Sequence, residues 1–211
     1  QKFSLGLYGH TSQRNMITDN NDDGFLDMPQ TRQINLLKRI QYTDAQNGLV
    51  GFLSLRFLND RKISGETNFS GESNNFNLSS WGSEIFTQRA DASLKIGYVF
   101  PLITYQSIGF QTAYSKHNQG SFFGVRDYNI THESLYSNLI FNSIISNTKN
   151  KFKTGLNFSR DIYNESVDTD LYRRTDDVFG MFFEYTYDNL ENLNLVAGLR
   201  LSLIHISEPT R

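Results

Sequence analysis

Nine stretches of this chain alternate apolar and polar residues with a period of two, and the links between them alternate strictly between short and long. In residues 151–160, Phe152, Thr154, Leu156 and Phe158 fall on one side, and Lys153, Gly155, Asn157 and Ser159 on the other. A strand gives this pattern because successive side chains leave opposite faces of a sheet. The same reading fits 2–10, 34–42, 49–59, 90–100, 107–116, 135–146, 178–188 and 193–200. Each stretch is near the ~9–11 residues that a tilted strand needs to cross a bilayer.

The short links are 43–48, 102–105, 147–150 and 189–192; the long ones are 11–33, 60–89, 119–134 and 164–177. Strands joined by tight turns form antiparallel hairpins. If every short turn lies at one end, every long loop lies at the other. A transmembrane barrel of the outer-membrane type has this polarity, with short periplasmic turns and longer extracellular loops. A soluble β-sandwich also makes hairpins but has no reason to sort its loops by length. The fold class expected is therefore all-β, an antiparallel transmembrane β-barrel, which the resemblance described below makes a partial one.

Mean hydropathy is negative, at −0.47, and no run approaches the roughly 18 apolar residues of a membrane helix. A barrel strand shows lipid only its alternate residues, so its average resembles that of a soluble protein. Tyr98, Phe100, Tyr185 and Tyr187 stand at strand ends, where interfacial aromatic girdles form. Aromatics also favour strands in general. The net charge of −2 gives no basic surface for nucleic acid. The chain has no cysteine, which removes disulfide frameworks, thiolate metal sites and cysteine nucleophiles.

The two ends carry expectations of their own. The chain begins at Gln1 without a signal peptide, so an amino-terminal part of the gene product is expected upstream. Residues 201–211 read LSLIHISEPTR, which back-translates codon for codon into a transposase sequencing adapter. That segment is expected to be a non-native tail, setting aside His205, Glu208 and Arg211 as site candidates. The other reading is a ninth strand that continues through Ile206.

The sharpest local motif lies in the first long loop. Asp19, Asn21 and Asp23 take the first, third and fifth positions of a calcium loop. Gly24 permits the sharp turn, Phe25 offers a backbone carbonyl, and Asp27 takes the ninth position. Gln30 stands where a bidentate Glu belongs, so any calcium site here is weak. The competing reading is an Asx-rich turn in which the acidic side chains cap their own backbone. No cofactor is expected apart from this calcium candidate.

His10, His117 and His132 show no paired metal-ligand spacing and read as solvated loop histidines; the alternative is that His117 and His132, on either side of 119–124, meet in space. Gly120 to Gly124 reads as the tip of that loop. Arg173, Arg174, Asp176 and Asp177 form a mixed charge cluster at the base of the last long loop. No nucleophile-and-base constellation and no phosphate-cradling glycine loop is visible, so an enzyme is not expected.

The chain resembles the barrel of a TonB-dependent outer-membrane receptor of the type common in Bacteroidetes. The residues that carry the resemblance are Asp23-Gly-Phe-Leu-Asp-Met-Pro29, Lys95-Ile-Gly-Tyr-Val-Phe100 and Tyr105-Gln-Ser-Ile-Gly-Phe110. Further matches are His117-Asn-Gln-Gly-Ser-Phe-Phe-Gly124, Ser134-Leu-Tyr-Ser-Asn-Leu-Ile-Phe141, Phe183-Glu-Tyr-Thr-Tyr187 and Leu195-Val-Ala-Gly-Leu-Arg200. The resemblance implies that residues 1–200 supply about nine strands of a barrel with ~22, whose lumen holds a plug domain absent from these residues. It implies a bacterial outer-membrane location, with membrane lipid and, through the plug, the TonB complex as partners. It implies active uptake of a scarce ligand such as a siderophore, haem, cobalamin, another metal chelate or a glycan, with ligand-contacting residues unknown. The alternatives are a passive outer-membrane porin and a soluble calcium-binding β-sandwich adhesin.

Overall fold

The structure, a computed structural model, describes residues 2–69, 71, 80–189 and 192–207. Nine strands form one antiparallel sheet in strict sequence order. They are β1 (Phe3–Arg14), β2 (Gln30–Asp44), β3 (Leu49–Gly65), β4 (Gly82–Val99), β5 (Ser107–Phe123), β6 (Arg126–Ile145), β7 (Asn147–Val167), β8 (Asp170–Asp188) and β9 (Asn194–Ile206). The sheet is not closed: β1 and β9 are its edges. Among the described residues there is no second sheet and no helix to cover either face.

Register makes the two faces distinct. Directly paired residues share a face, so one hydrogen-bond row can be followed across the whole sheet. The row through Leu156 runs Phe3, Tyr42, Gly51, Ile96, Phe110, Leu139, Leu156, Met181 and Leu201. Only Gly51 interrupts its apolar character. The row through Ser159 on the other face runs Gly6, Arg39, Ser54, Ser93, Ala113, Tyr136, Ser159, Val178 and Ile204. The apolar face is open: Leu5 is 62%, Phe110 38%, Leu156 43% and Leu199 78% exposed. Among the described residues the only buried hydrophobic side chain is Ile63. A single sheet with an uncovered apolar face has no core of the layered kind that stabilises soluble domains.

All nine expected strands are present, but most run well past their expected ends. They overhang at the end where β1–β2, β3–β4, β5–β6 and β7–β8 connect. The first two of these links are long, 15–29 and 66–81. The other two, expected as the loops 119–134 and 164–177, are hairpin turns at 124–125 and 168–169. Gly124 (φ 62°) and Asp168 (φ 53°) take the left-handed conformation that such tight turns need. Gly120 to Phe123 belong to β5, not to a loop tip. At the opposite end, 100–106 is longer than either hairpin turn. Sorting of links by length therefore holds only for the first half of the sheet; the asymmetry of the second half lies in strand overhang.

β9 also extends beyond its expected end at Arg200. Leu201 pairs with Met181, Leu203 with Phe179 and Ile206 with Asp176. The period of two simply continues, with Leu201 and Leu203 on the apolar face. Residues 208–211 of the expected tail lie outside the described residues.

The two long links are tied to each other. Phe25 bridges to Glu66, the Leu26 N–H donates to the Gly65 carbonyl, and the Thr67 N–H donates to the Gly24 carbonyl. Trp81 lies 6.3 Å from Phe25, centroid to centroid. A Cβ on Gly124 would meet the Trp81 Nε1 at 2.6 Å, so the β5–β6 turn approaches that ring as only glycine allows.

Candidate functional site

The long middle strands carry a belt of charged and aromatic side chains on the polar face. One row holds Arg89, His117, His132, Tyr163 and Arg174 on β4 to β8. The next row away from the overhanging end holds Asp91, Ser115, Ser134, Asp161 and Asp176. Antiparallel pairing thus sets a cationic and aromatic row beside one rich in carboxylates.

Contacts within the belt are specific. His132 Nε2 lies 3.0 Å from Asp161 Oδ1. The His132 and Tyr163 rings stack at 4.3 Å with planes 4° apart. Arg174 places its guanidinium carbon 4.4 Å from the Tyr163 ring centroid and its Nε 3.0 Å from Asp176 Oδ2. Arg89 Nε donates to Asp91 Oδ1 at 2.9 Å. The stack therefore runs Arg174, Tyr163, His132, with a carboxylate beside each end. Three buried polar atoms have no hydrogen-bond partner among the described residues: His117 Nδ1, Asn138 Oδ1 and Asp176 Oδ1. All three residues stand on the polar face.

His117 and His132, expected in solvated loops, are direct cross-strand partners, both partly buried. Strand extension brings them together. The expected cluster at 173–177 is divided by the pleat. Arg174 and Asp176 join the belt, whereas Asp177 stands on the apolar face and accepts two hydrogen bonds from Arg160, at 2.7 and 2.8 Å. Arg173 stands on the apolar face as well, opposite Asn164. His10 is exposed on β1, opposite Asn35. Arg89, Asp91, Asp161 and Tyr163 were not singled out in the sequence. Each follows an alternating pattern within its strand, but only the register shows that they share a neighbourhood.

In the first long link, every carboxylate of the calcium motif is engaged with nearby N–H groups. Asp19 accepts from the Asp23 and Gly24 backbone, at 3.1 and 2.9 Å. Asp23 accepts from the Phe25 backbone at 2.8 Å and from the Asn21 amide at 2.9 Å. Asp27 accepts from the Asn20 backbone and amide, at 2.9 and 2.7 Å. The Phe25 backbone bridges to Glu66. Asp22 (φ 53°) and Gly24 (φ 82°) turn the chain tightly. This is the geometry of nested Asx turns. Among the described residues no group of three or more His, Cys, Asp or Glu is placed to hold a metal.

Compared with protein-family models, curated proteins and solved structures, the chain matches none.

Proposed function

We propose that residues 1–200 are part of the barrel wall of a TonB-dependent outer-membrane receptor, with the apolar face toward lipid and the polar face toward the lumen. One observation carries this reading: an exposed apolar face continues across nine neighbouring strands, with no second layer to cover it among the described residues. Water would make such a face a liability for aggregation; a bilayer supplies its partner. The polar belt suits a hydrated or plug-filled lumen, where its unpaired atoms find partners. The family resemblance supports energy-coupled uptake of a scarce ligand through a plug and the TonB complex, without covalent chemistry. Residues 201–211 are read as an adapter-derived tail, which the codon match supports.

The test uses the uninterrupted gene product. In outer-membrane fractions it should migrate as a compact, heat-modifiable band, and in planar bilayers it should stay closed. Steady open conductance would favour the passive porin. A cooperatively melting monomer in water without detergent would sink both membrane readings.

A further inference from the structure

On β1 to β4 the polar face holds a groove of about 520 Å³, within the range of small-ligand sites. Its floor is a row of small residues, Gly6, Ser54 and Ser93, with Arg39 between Gly6 and Ser54. Tyr8 and Phe52 are its aromatic walls. A Cβ on Gly6 would meet Tyr8 Cε2 at 2.9 Å, so the Tyr8 ring lies down against the strand there. Arg39 and Lys95 both line the groove, and neither has an ionic or hydrogen-bonding partner among the described residues. No acidic side chain lines it. In the neighbouring belt, by contrast, Arg89 has Asp91 and Arg174 has Asp176.

We propose that this groove binds a small organic oxyanion, a carboxylate or phosphate on a flat apolar body. Arg39 offers a planar fork of donors and Lys95 a mobile ammonium. They stand on strands two apart, about 10 Å across the sheet, and reach over Ser54 and Phe52 from either side. The oxyanion sits between the cations, and the apolar body lies along Tyr8 and Phe52. The uncharged floor lets the ligand approach the backbone closely. This assignment rests on the lumenal placement of the polar face.

The experiment uses the uninterrupted receptor in detergent, checked for a heat-modifiable band, with phenyl phosphate, inorganic phosphate and phenol as probes in calorimetric titration. Phenyl phosphate should bind most tightly. The double substitution Arg39→Gln, Lys95→Gln should weaken it at least about tenfold, since a charged hydrogen bond contributes roughly that factor or more. Arg32→Gln, which removes a cation from the apolar face, should leave binding unchanged. Tyr8→Leu should weaken phenyl phosphate but not inorganic phosphate. These side chains are exposed, so the variants should keep the folded band. A folded receptor that binds no phenyl phosphate, or binds it equally with and without the two cations, overturns the site while leaving the barrel intact. A preparation without the folded band overturns the barrel reading, and the site with it.

Discussion

Arg160 and Asp177 form a two-point ion pair across β7 and β8, on the apolar face and next along from Phe158 and Phe179. Two further cross-strand pairs share that face: Lys116 with Glu133 at 2.7 Å, and Arg61 with Glu84 at 2.6 Å. Each stands above the apolar run of its strands, but not in the same hydrogen-bond row. The row of Arg160 meets β5 at Tyr114, two residues below Lys116, and β3 at Leu55, six residues below Arg61. The upper edge of the apolar band thus climbs six residues over four strands. At ~3.3 Å per residue and ~4.8 Å per strand, that is a slope near 45°. Transmembrane barrels tilt their strands by roughly 35–45°, so a bilayer edge would cut the rows obliquely in just this way.

The band fixes where a charge is costly. Leu156→Arg, in the middle of the apolar run of β7, should lower stability of the folded barrel in lipid by about 2–4 kcal/mol. Asn157→Arg, on the polar face one residue on, should cost much less. Urea titration of the heat-modifiable band measures both. Equal losses would remove the assignment of faces.

The overhanging end should lie outside the cell. A tag inserted after Asp168, in the β7–β8 turn, should be labelled on intact cells. One inserted after Leu102, in the 100–106 link and 98% exposed, should be labelled only after permeabilisation. The reverse result would invert the topology.

At the opposite end, Asp44 gathers three donors. The Lys2 ammonium lies 2.6 Å from its Oδ2, the Asn47 amide 2.9 Å and the Tyr42 hydroxyl 3.2 Å. Asp44 is the last residue of β2, where the chain enters the β2–β3 turn, and is 5% exposed. The hydrogen bond from Lys2, then that from Asn47, lowers its pKa to about 2 from an ordinary 3.8. A depressed carboxylate stabilises the fold above its ordinary pKa, and that contribution is lost as pH falls through its folded value. The stability gap between wild type and Asp44→Asn should therefore be full above about pH 4 and close toward pH 2. A gap that stays constant across that window would deny Asp44 its ionised role.

The faces were legible in the sequence and the strand ends were not. From Phe152 to Phe158 one face is apolar and the other polar, so the period of two is visible. Beyond Arg160 both faces are mixed: Ile162, Asn164, Ser166 and Leu171 stand on one, Asp161, Tyr163, Glu165 and Val167 on the other. Alternation then disappears from the sequence although the ladder of backbone hydrogen bonds continues. The same loss of contrast left His117 and His132 outside the expected strands. Register, which assembles the belt, depends on turn geometry at Gly124 and Asp168 that hydropathy does not report.

The loop at 15–29 should owe its order to its carboxylates. Asp19 and Asp23 together accept from the backbone N–H groups of three successive residues, Asp23, Gly24 and Phe25. That cap holds the turn that lets Leu26 reach Gly65, and Gly24 reach Thr67. Asp19→Ala with Asp23→Ala leaves those donors to water and should free the loop from the end of β3. Limited proteolysis of the folded receptor in chelator should then cut the double variant faster than wild type. Because the caps are made between protein groups, added calcium should leave the ratio of the two rates unchanged. If calcium protects wild type but not the variant, the same oxygens take the metal. The missing carboxylate at Gln30 would limit such a site to about 10⁻⁴–10⁻³ M, the range of extracellular modules.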